Sequence, residues 1–245
     1  MNYRMRSGAL TLSALALAAC SDTVGLDSAL EDSLTLDVAM MAADAAIDEL
    51  GDMALIFGGG ALGAPGQEPH RHGTHTATFF DADGNEQEAR DPLTTASIHL
   101  VLEFTHEFSR DSWTGTGERS RDIWITGLEG EETERTVNGT GSGTVNRSQH
   151  TDSTGTRTYD MSSTSTIVDV LHPVPRADDA WPLSGTITRE VTINVVNGPN
   201  GDVTRTRTVV ITFNGTNLPI MTVDGEAFEI DLSTRSGRHP FRKRG

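Results

Sequence analysis

Three of the eight histidines, His70, His72 and His75, lie within six residues of one another. Imidazole nitrogens are common ligands of divalent transition metals. In an extended chain His70 and His72 lie on the same side, about 7 Å apart, and the intervening glycine would let His75 fold back toward them. Glu68 and His99 are the candidates for a fourth ligand. The cluster is therefore the candidate metal site, and we expect weak binding and no resident cofactor.

The only cysteine, Cys20, follows a short basic and then apolar N-terminal segment. Arg4 and Arg6 precede a run of apolar or small residues over 8–19. This run is too short to cross a hydrocarbon core of about 30 Å as a helix. Its layout is that of a secretory signal peptide, which the mature protein would lack.

The residues around the cysteine, Leu17-Ala18-Ala19-Cys20, resemble the lipobox of bacterial lipoproteins. The resemblance covers about 20 residues and implies removal of residues 1–19, thioether lipidation of Cys20 and acylation of the new N-terminus. In that family an Asp directly after the cysteine favours the inner membrane. Ser21 stands there instead, which favours a lipid anchor in the outer membrane of the cell envelope. A chance cysteine in an ordinary signal peptide is the alternative.

Motifs for catalysis are lacking from the sequence. There is no Gly-x-Ser-x-Gly elbow, and the single lysine, Lys243, belongs to no phosphate loop. The run Gly58 to Gly63 matches a dinucleotide fingerprint formally, but Pro65 and Pro69 prevent the helix that such a motif requires. These features favour a binding role over an enzymatic one.

The composition excludes further partners. The 245 residues carry 35 Asp and Glu against 19 Lys and Arg, a net charge of −16. A chain this acidic is a poor ligand for nucleic-acid backbones, so we expect no nucleic-acid partner. With one cysteine it can form no internal disulfide.

The composition of residues 20–73 predicts an acidic tether. Ten Asp or Glu and no Lys or Arg lie between residues 21 and 68. Apolar residues spaced by three and four predict a helix near 35–53: Val38, Met41, Ala42, Ala45, Ala46, Leu50 and Met53. A Gly/Pro linker follows. The helix either docks on the domain behind it or acts as a spacer from an anionic membrane, and its methionines favour docking.

Residues 74–234 alternate between apolar and polar side chains with the period of two that indicates β-strands. The alternation is clearest over 97–108, 185–196 and 203–213. The chain contains 32 threonines, which suit half-buried strands. Turn sequences separate the strands: Asp81 to Asn85, Asn138-Gly139, Asn197 to Gly201, Asn214-Gly215 and Asp224-Gly225.

About ten strands joined by such short turns predict a mainly β fold, an antiparallel meander that forms a sandwich or a curled partial barrel, with one N-terminal helix. The polar stretch 132–165 predicts long projecting hairpins or partial disorder. A basic tail over 235–245 ends the chain.

Three functions remain open at this level. The first is a lipid-anchored, non-catalytic β-domain that binds an envelope protein or a glycan. The second is a carrier of a hydrophobic ligand with the helix as lid, since the element order resembles the half-barrel lipoprotein carriers. The third is a metal-dependent enzyme that uses His70, His72 and His75. The low aromatic content, 5%, favours the first.

Overall fold

The structure, a computed structural model, describes residues 71–110, 113–130, 132–151, 155–174, 180–198, 201–233 and 241–243. The predicted signal peptide, Cys20, the acidic tether with its helix, and His70 lie outside these residues. In the described part of the chain, no helix is long and apolar enough to cross a membrane.

The described residues form eleven β-strands. In chain order they are β1 (Arg71–Asp81), β2 (Glu86–Gln87), β3 (Thr95–Arg110), β4 (Trp113–Thr126), β5 (Glu134–Thr151), β6 (Gly155–Pro173), β7 (Ser184–Gly198), β8 (Gly201–Thr212), β9 (Ile220–Val223), β10 (Glu226–Ile230) and β11 (Phe241–Lys243).

All eleven strands belong to one antiparallel sheet, which confirms the predicted meander. The spatial order is β2-β1-β3-β4-β5-β6-β7-β8-β9-β10-β11, so from β3 onward each strand pairs with the next in the chain. Short connections suffice because antiparallel neighbours need only a turn between them. Strands β2 and β11 are at opposite ends of this order, so the sheet is not closed.

The turn predicted at Asn138-Gly139 is wrong. Both residues lie inside β5, where the pairing with β6 shifts between Val137 and Gly139. The Asn138 side-chain oxygen accepts a hydrogen bond of 2.8 Å from the backbone N–H of Asp169. Asn138 and Gly139 pair regularly with β4, and the extra residue of the resulting β-bulge lies on β6, where Val168 and Asp169 stand opposite Asn138 and Asp169 has a φ of 48°. As a result the polar stretch 132–165 becomes two long paired strands, β5 and β6.

The Asp81 to Asn85 turn is confirmed as a hairpin turn between β1 and β2. The Asp81 carboxylate accepts hydrogen bonds from the backbone N–H groups of Asp83 and Asn85, at 3.0 and 2.8 Å. The Asn85 side chain, followed by these backbone N–H groups, holds the pKa of Asp81 below its ordinary value of 3.8. The Asp224-Gly225 turn is also confirmed, with φ of 49° and 88° at its two residues.

The sheet extends beyond the predicted limits at both ends. Strand β1 begins at Arg71 and not at 74, and Phe241 to Lys243 of the basic tail pair with β10 as the edge strand β11. The core lies on one face of the sheet, called the inward face below. Its most buried residues alternate along β3 to β10 and on to residue 232: Ile98, Leu100, Ile123, Ile125, Val137, Ile167, Ile187, Ile193, Ile211, Met221, Phe228, Ile230 and Leu232.

Candidate functional site

Of His70, His72 and His75, His75 is the one whose side chain is described; the candidate fourth ligand His99 instead lies 2.8 Å from the Asp122 carboxylate. His75 is exposed and lies on β1 opposite Leu102. Gly73 pairs in regular register with Phe104, so the chain does not turn back there. No group of three His, Cys, Asp or Glu side chains that could hold a metal ion is found within the described ranges. The site at His70, His72 and His75 involves side chains outside those ranges and stays a prediction.

We expect weak zinc binding from this cluster. Three candidate ligands are one fewer than a closed tetrahedral zinc site uses, so the cluster offers an incomplete set. Calorimetric titration of the protein with Zn²⁺ should show no site tighter than micromolar. A submicromolar site that disappears in His72→Ala would contradict this expectation and support the metal-dependent enzyme.

Charge is segregated between the two faces of the central sheet, strands β3 to β8. Among described residues, the inward positions of these strands include arginines but no Asp or Glu, whereas the outward positions include carboxylates but no Lys or Arg. Seven of the inward arginines lie toward one end of the strands: Arg119, Arg121, Arg147, Arg157, Arg189, Arg205 and Arg207. A further one, Arg135, lies near the opposite end, on β5. The outward carboxylates include Glu103, Glu107, Glu118, Glu134, Asp122, Asp160, Glu190 and Asp202. We call the set of seven the arginine face.

Glycines on neighbouring strands leave space for the side chains of the arginine face. Arg121 crosses Gly141 on β5, where an added Cβ would come within 2.7 Å of the Arg121 Nη1 atom. That nitrogen donates hydrogen bonds to the carbonyl oxygens of Ser120 and Ser142, at 2.8 and 3.2 Å. Arg121 is 2% exposed and Arg189 7%. A row of small residues thus lets two guanidinium groups lie buried against the sheet.

Other arginines of this face are held in similar ways. The guanidinium of Arg119 lies 5.0 Å above the Phe104 ring, a cation–π contact. Arg189 donates to the Ser163 hydroxyl at 3.2 Å, and the Arg207 Nε atom lies 3.2 Å from the Asp224 carboxylate. These arginines lie toward one end of the strands, where core residues are interleaved with them: Ile193 pairs with Arg205 and Val191 with Arg207.

The outward side of β3 to β8 is a polar surface that we call the hydroxyl face. Strand pairing aligns its side chains into rows that run across six strands, which are spaced by about 4.8 Å. One row is Glu103, Ser120, Ser142, Thr164, Glu190 and Thr208, and the next is Thr105, Glu118, Thr144, Ser162, Thr192 and Thr206.

Neighbouring hydroxyls in these rows are within hydrogen-bonding distance. The Ser120 and Ser142 oxygens are 3.0 Å apart, and those of Thr192 and Thr206 are 2.9 Å apart. An open groove of about 1030 Å³ runs across the two rows over β1 and β3 to β6. Its outward lining has seven hydroxyls and two carboxylates: Thr74, Thr105, Ser120, Ser142, Thr144, Ser162 and Thr164, with Glu103 and Glu118.

An aromatic stack borders the hydroxyl face at the β1 side. The rings of His99 and Trp124 are 4.6 Å apart and nearly parallel, and the Phe80 ring lies 5.3 Å from that of Trp124. The His99 Nε2 atom is 2.8 Å from the Asp122 carboxylate. Trp124 is 42% exposed. This stack places an aromatic surface on the same strand, β4, as Glu118 and Ser120 of the groove.

The sequence contains a signal for the arginine face but none for the rows of the hydroxyl face. On β7 and β8 the period-two pattern assigns Arg189, Arg205 and Arg207 to the same face as the apolar residues. An arginine at such a position is costly to bury and indicates a specific role. The alignment of the outward rows depends on strand register, and no local pattern supplies it.

Comparison of the chain with protein families, curated proteins and solved structures gives no match.

Proposed function

We propose that the protein is a non-catalytic, lipid-anchored protein of the bacterial cell envelope that binds a hydroxyl-rich polymer, a glycan, on its hydroxyl face. The anchor is Cys20, and the membrane is the outer membrane. The observation that supports the binding role is the alignment of Ser, Thr and carboxylate side chains into rows across six strands, along an open groove.

The chemistry of the groove suits sugar hydroxyls. Serine and threonine hydroxyls both donate and accept hydrogen bonds, and the carboxylates of Glu103 and Glu118 accept them. Hydrogen bonds to charged groups are stronger than neutral ones. Because the donors and acceptors are already held by a paired sheet, little side-chain entropy is lost when a repeating polymer binds.

The aromatic stack adds an apolar contact. Trp124 and Phe80 present ring surface against which the CH-bearing faces of pyranose rings can pack. Successive outward residues of one strand are about 6.6 Å apart, so Ser120, Asp122 and Trp124 form a line along β4. A glycan lying along that line meets hydroxyl, carboxylate and aromatic groups in turn.

The charge of the face selects among glycans. The outward carboxylates, with no Lys or Arg among the described outward residues of β3 to β8, repel anionic polymers. The proposed ligand is therefore a neutral glycan or one that bears amino groups.

We expect the mature protein to co-sediment with an insoluble neutral glucan or chitosan, but not with alginate gel. Changing Ser142 and Thr164, register partners in the groove, to Glu should reduce the bound fraction at least tenfold, because the two longer side chains fill the groove and exclude the polymer. Sedimentation followed by quantification of bound protein measures this.

The matched control is Thr126→Glu with Thr212→Glu. Both threonines are exposed and lie at the ends of their strands, away from the groove. This pair should bind like the wild type. Equal binding by both pairs, or a preference for alginate, would contradict the proposal.

A further inference from the structure

We infer that two copies of this chain pair through the outer edge of β1, in antiparallel register about a two-fold axis at His75, so that their sheets join into one. The outer edge is the side of β1 that faces away from β3. The pairing involves backbone groups of β1 and does not depend on the proposed glycan binding.

The outer edge of β1 is open over most of its length. Strand β2 pairs with β1 at Phe79 and Phe80 only, and no other strand in the described part of the chain pairs with this edge. All residues from Gly73 to Ala77 are exposed. An exposed strand edge presents a row of N–H and C=O groups on which another strand can pair.

Alternation along β1 determines which residues present their backbone groups at this edge. The Asp81 N–H donates a hydrogen bond of 3.0 Å to the Asn85 carbonyl oxygen, so the backbone groups of Asp81 point to the outer edge. Alternate residues of a strand present their backbone groups to the same side, and those of Ala77, His75 and Gly73 therefore point there as well. Two residues of a hydrogen-bonded pair exchange two bonds, so three such pairs would form about six bonds between two copies.

The extent of the open edge centres the pair on His75. Strand β1 begins at Arg71 and β2 covers its edge from Phe79, so the open part spans 71–78. Of the residues that point to the edge, His75 is nearest the middle of this span. A centre closer to Phe79 would place the second copy against β2, and a centre closer to Arg71 would leave Ala77 unpaired. Centred on His75, the pair places Gly73 opposite Ala77 of the second copy.

The composition of β1 favours pairing with a second copy of itself. Residues 72–80 include no Asp, Glu, Lys, Arg or Pro, so no like charges face each other across the pair. Natural sheets protect exposed edges with charged side chains, with proline or with very short strands. At the opposite end of the sheet, β11 has three residues, and these include Arg242 and Lys243. Strand β1 is long and lacks such protection.

The pairing has a consequence for the hydroxyl face. A two-fold axis perpendicular to the sheet places the hydroxyl faces of both copies on the same side. Thr74, which lines the groove, then lies opposite Thr76 of the second copy. The groove continues from one copy to the other, and a polymer long enough to occupy both gains avidity. This consequence, unlike the pairing itself, rests on the proposed function.

Disulfide cross-linking of the mature, full-length protein tests the pairing. In the His75→Cys variant the two Cα atoms would be about 5.5 Å apart, within the range of a disulfide. In the Thr74→Cys variant they would be about 8 Å apart, which is too far. Under mild oxidation we expect at least tenfold more disulfide-linked dimer from His75→Cys than from Thr74→Cys. The wild type, whose only cysteine is Cys20, gives the background.

A mixing experiment tests the register. The Thr74→Cys and Thr76→Cys proteins should each stay near the background alone and should cross-link after they are mixed, because the two positions then face each other. Failure of His75→Cys to cross-link above the wild type, or equal cross-linking of His75→Cys and Thr74→Cys, would overturn the inference. More dimer from Thr74→Cys alone than from His75→Cys would show a different register and would overturn it too.

Discussion

Replacing Gly185 by alanine should lower the free energy of unfolding by at least about 3 kcal/mol. Gly185 has a φ of 100°, where an L side chain is strained. An added Cβ would also lie 2.4 Å from the carbonyl oxygen of Asp169 and 2.5 Å from the Cα of Val170. Both contacts are with backbone, so no side chain can rotate away. Relief would require β6 and β7 to separate at the point where their register shifts.

Gly225→Ala is the matched control, measured by chemical denaturation alongside it. Gly225 has a similar φ of 88°, but no atom of the described residues lies within 4 Å of its added Cβ. Its substitution therefore tests backbone strain alone and should cost about 1 kcal/mol. If the free energy of unfolding falls equally in the two variants, then β6 and β7 do not approach each other closely at Gly185.

Replacing Cys20 by alanine should move nearly all of the protein out of the membrane fraction or block its processing. The proposed acyl chains supply about 0.8 kcal/mol per buried CH₂, and stable anchoring requires two chains or more. Without the thiol no chain is attached, and the acidic remainder, with few basic residues, has no electrostatic attraction to anionic lipid.

Separation of membrane and soluble fractions, followed by mass measurement of the recovered protein, tests this expectation. Ser21→Ala, which keeps the thiol and the small residue after it, should fractionate as the wild type does. A Cys20→Ala protein that is still recovered from membranes with the mature mass would refute lipidation.

The fold was largely predictable because the alternation of apolar and polar side chains along a strand is a local signal. Each strand with a clean period of two, such as 97–108, appears as a strand with the same buried side. The Asn138-Gly139 turn was mispredicted because both residues tolerate turn backbone angles, and the sequence nearby does not show that β4 and β6 continue to pair on either side. Long-range pairing with β4 keeps both residues in a strand, opposite a bulge of β6.

The candidate site was less accessible to prediction. The sequence shows Ser142 and Thr164 as two polar residues among many, and only the register makes them neighbours in a groove. Arg121 and Gly141 are 20 positions apart in the chain. In the sheet, however, the Arg121 side chain occupies the space that a side chain at position 141 would need. Such complementarity belongs to the assembled sheet and has no local signature.

Hydroxyl-radical footprinting with and without a soluble neutral glucan tests the central claim, that a glycan binds along the hydroxyl face. Trp124 is the reporter, because its ring is reactive and 42% exposed beside the groove. Leu93 and Leu218, which are 80% and 51% exposed and lie in loops outside the strands of the groove, are internal controls. Saturating glucan should reduce oxidation of Trp124 several-fold and leave both leucines unchanged. Unchanged oxidation of Trp124 under conditions where the glucan is bound, or protection of the leucines in its place, would contradict the account.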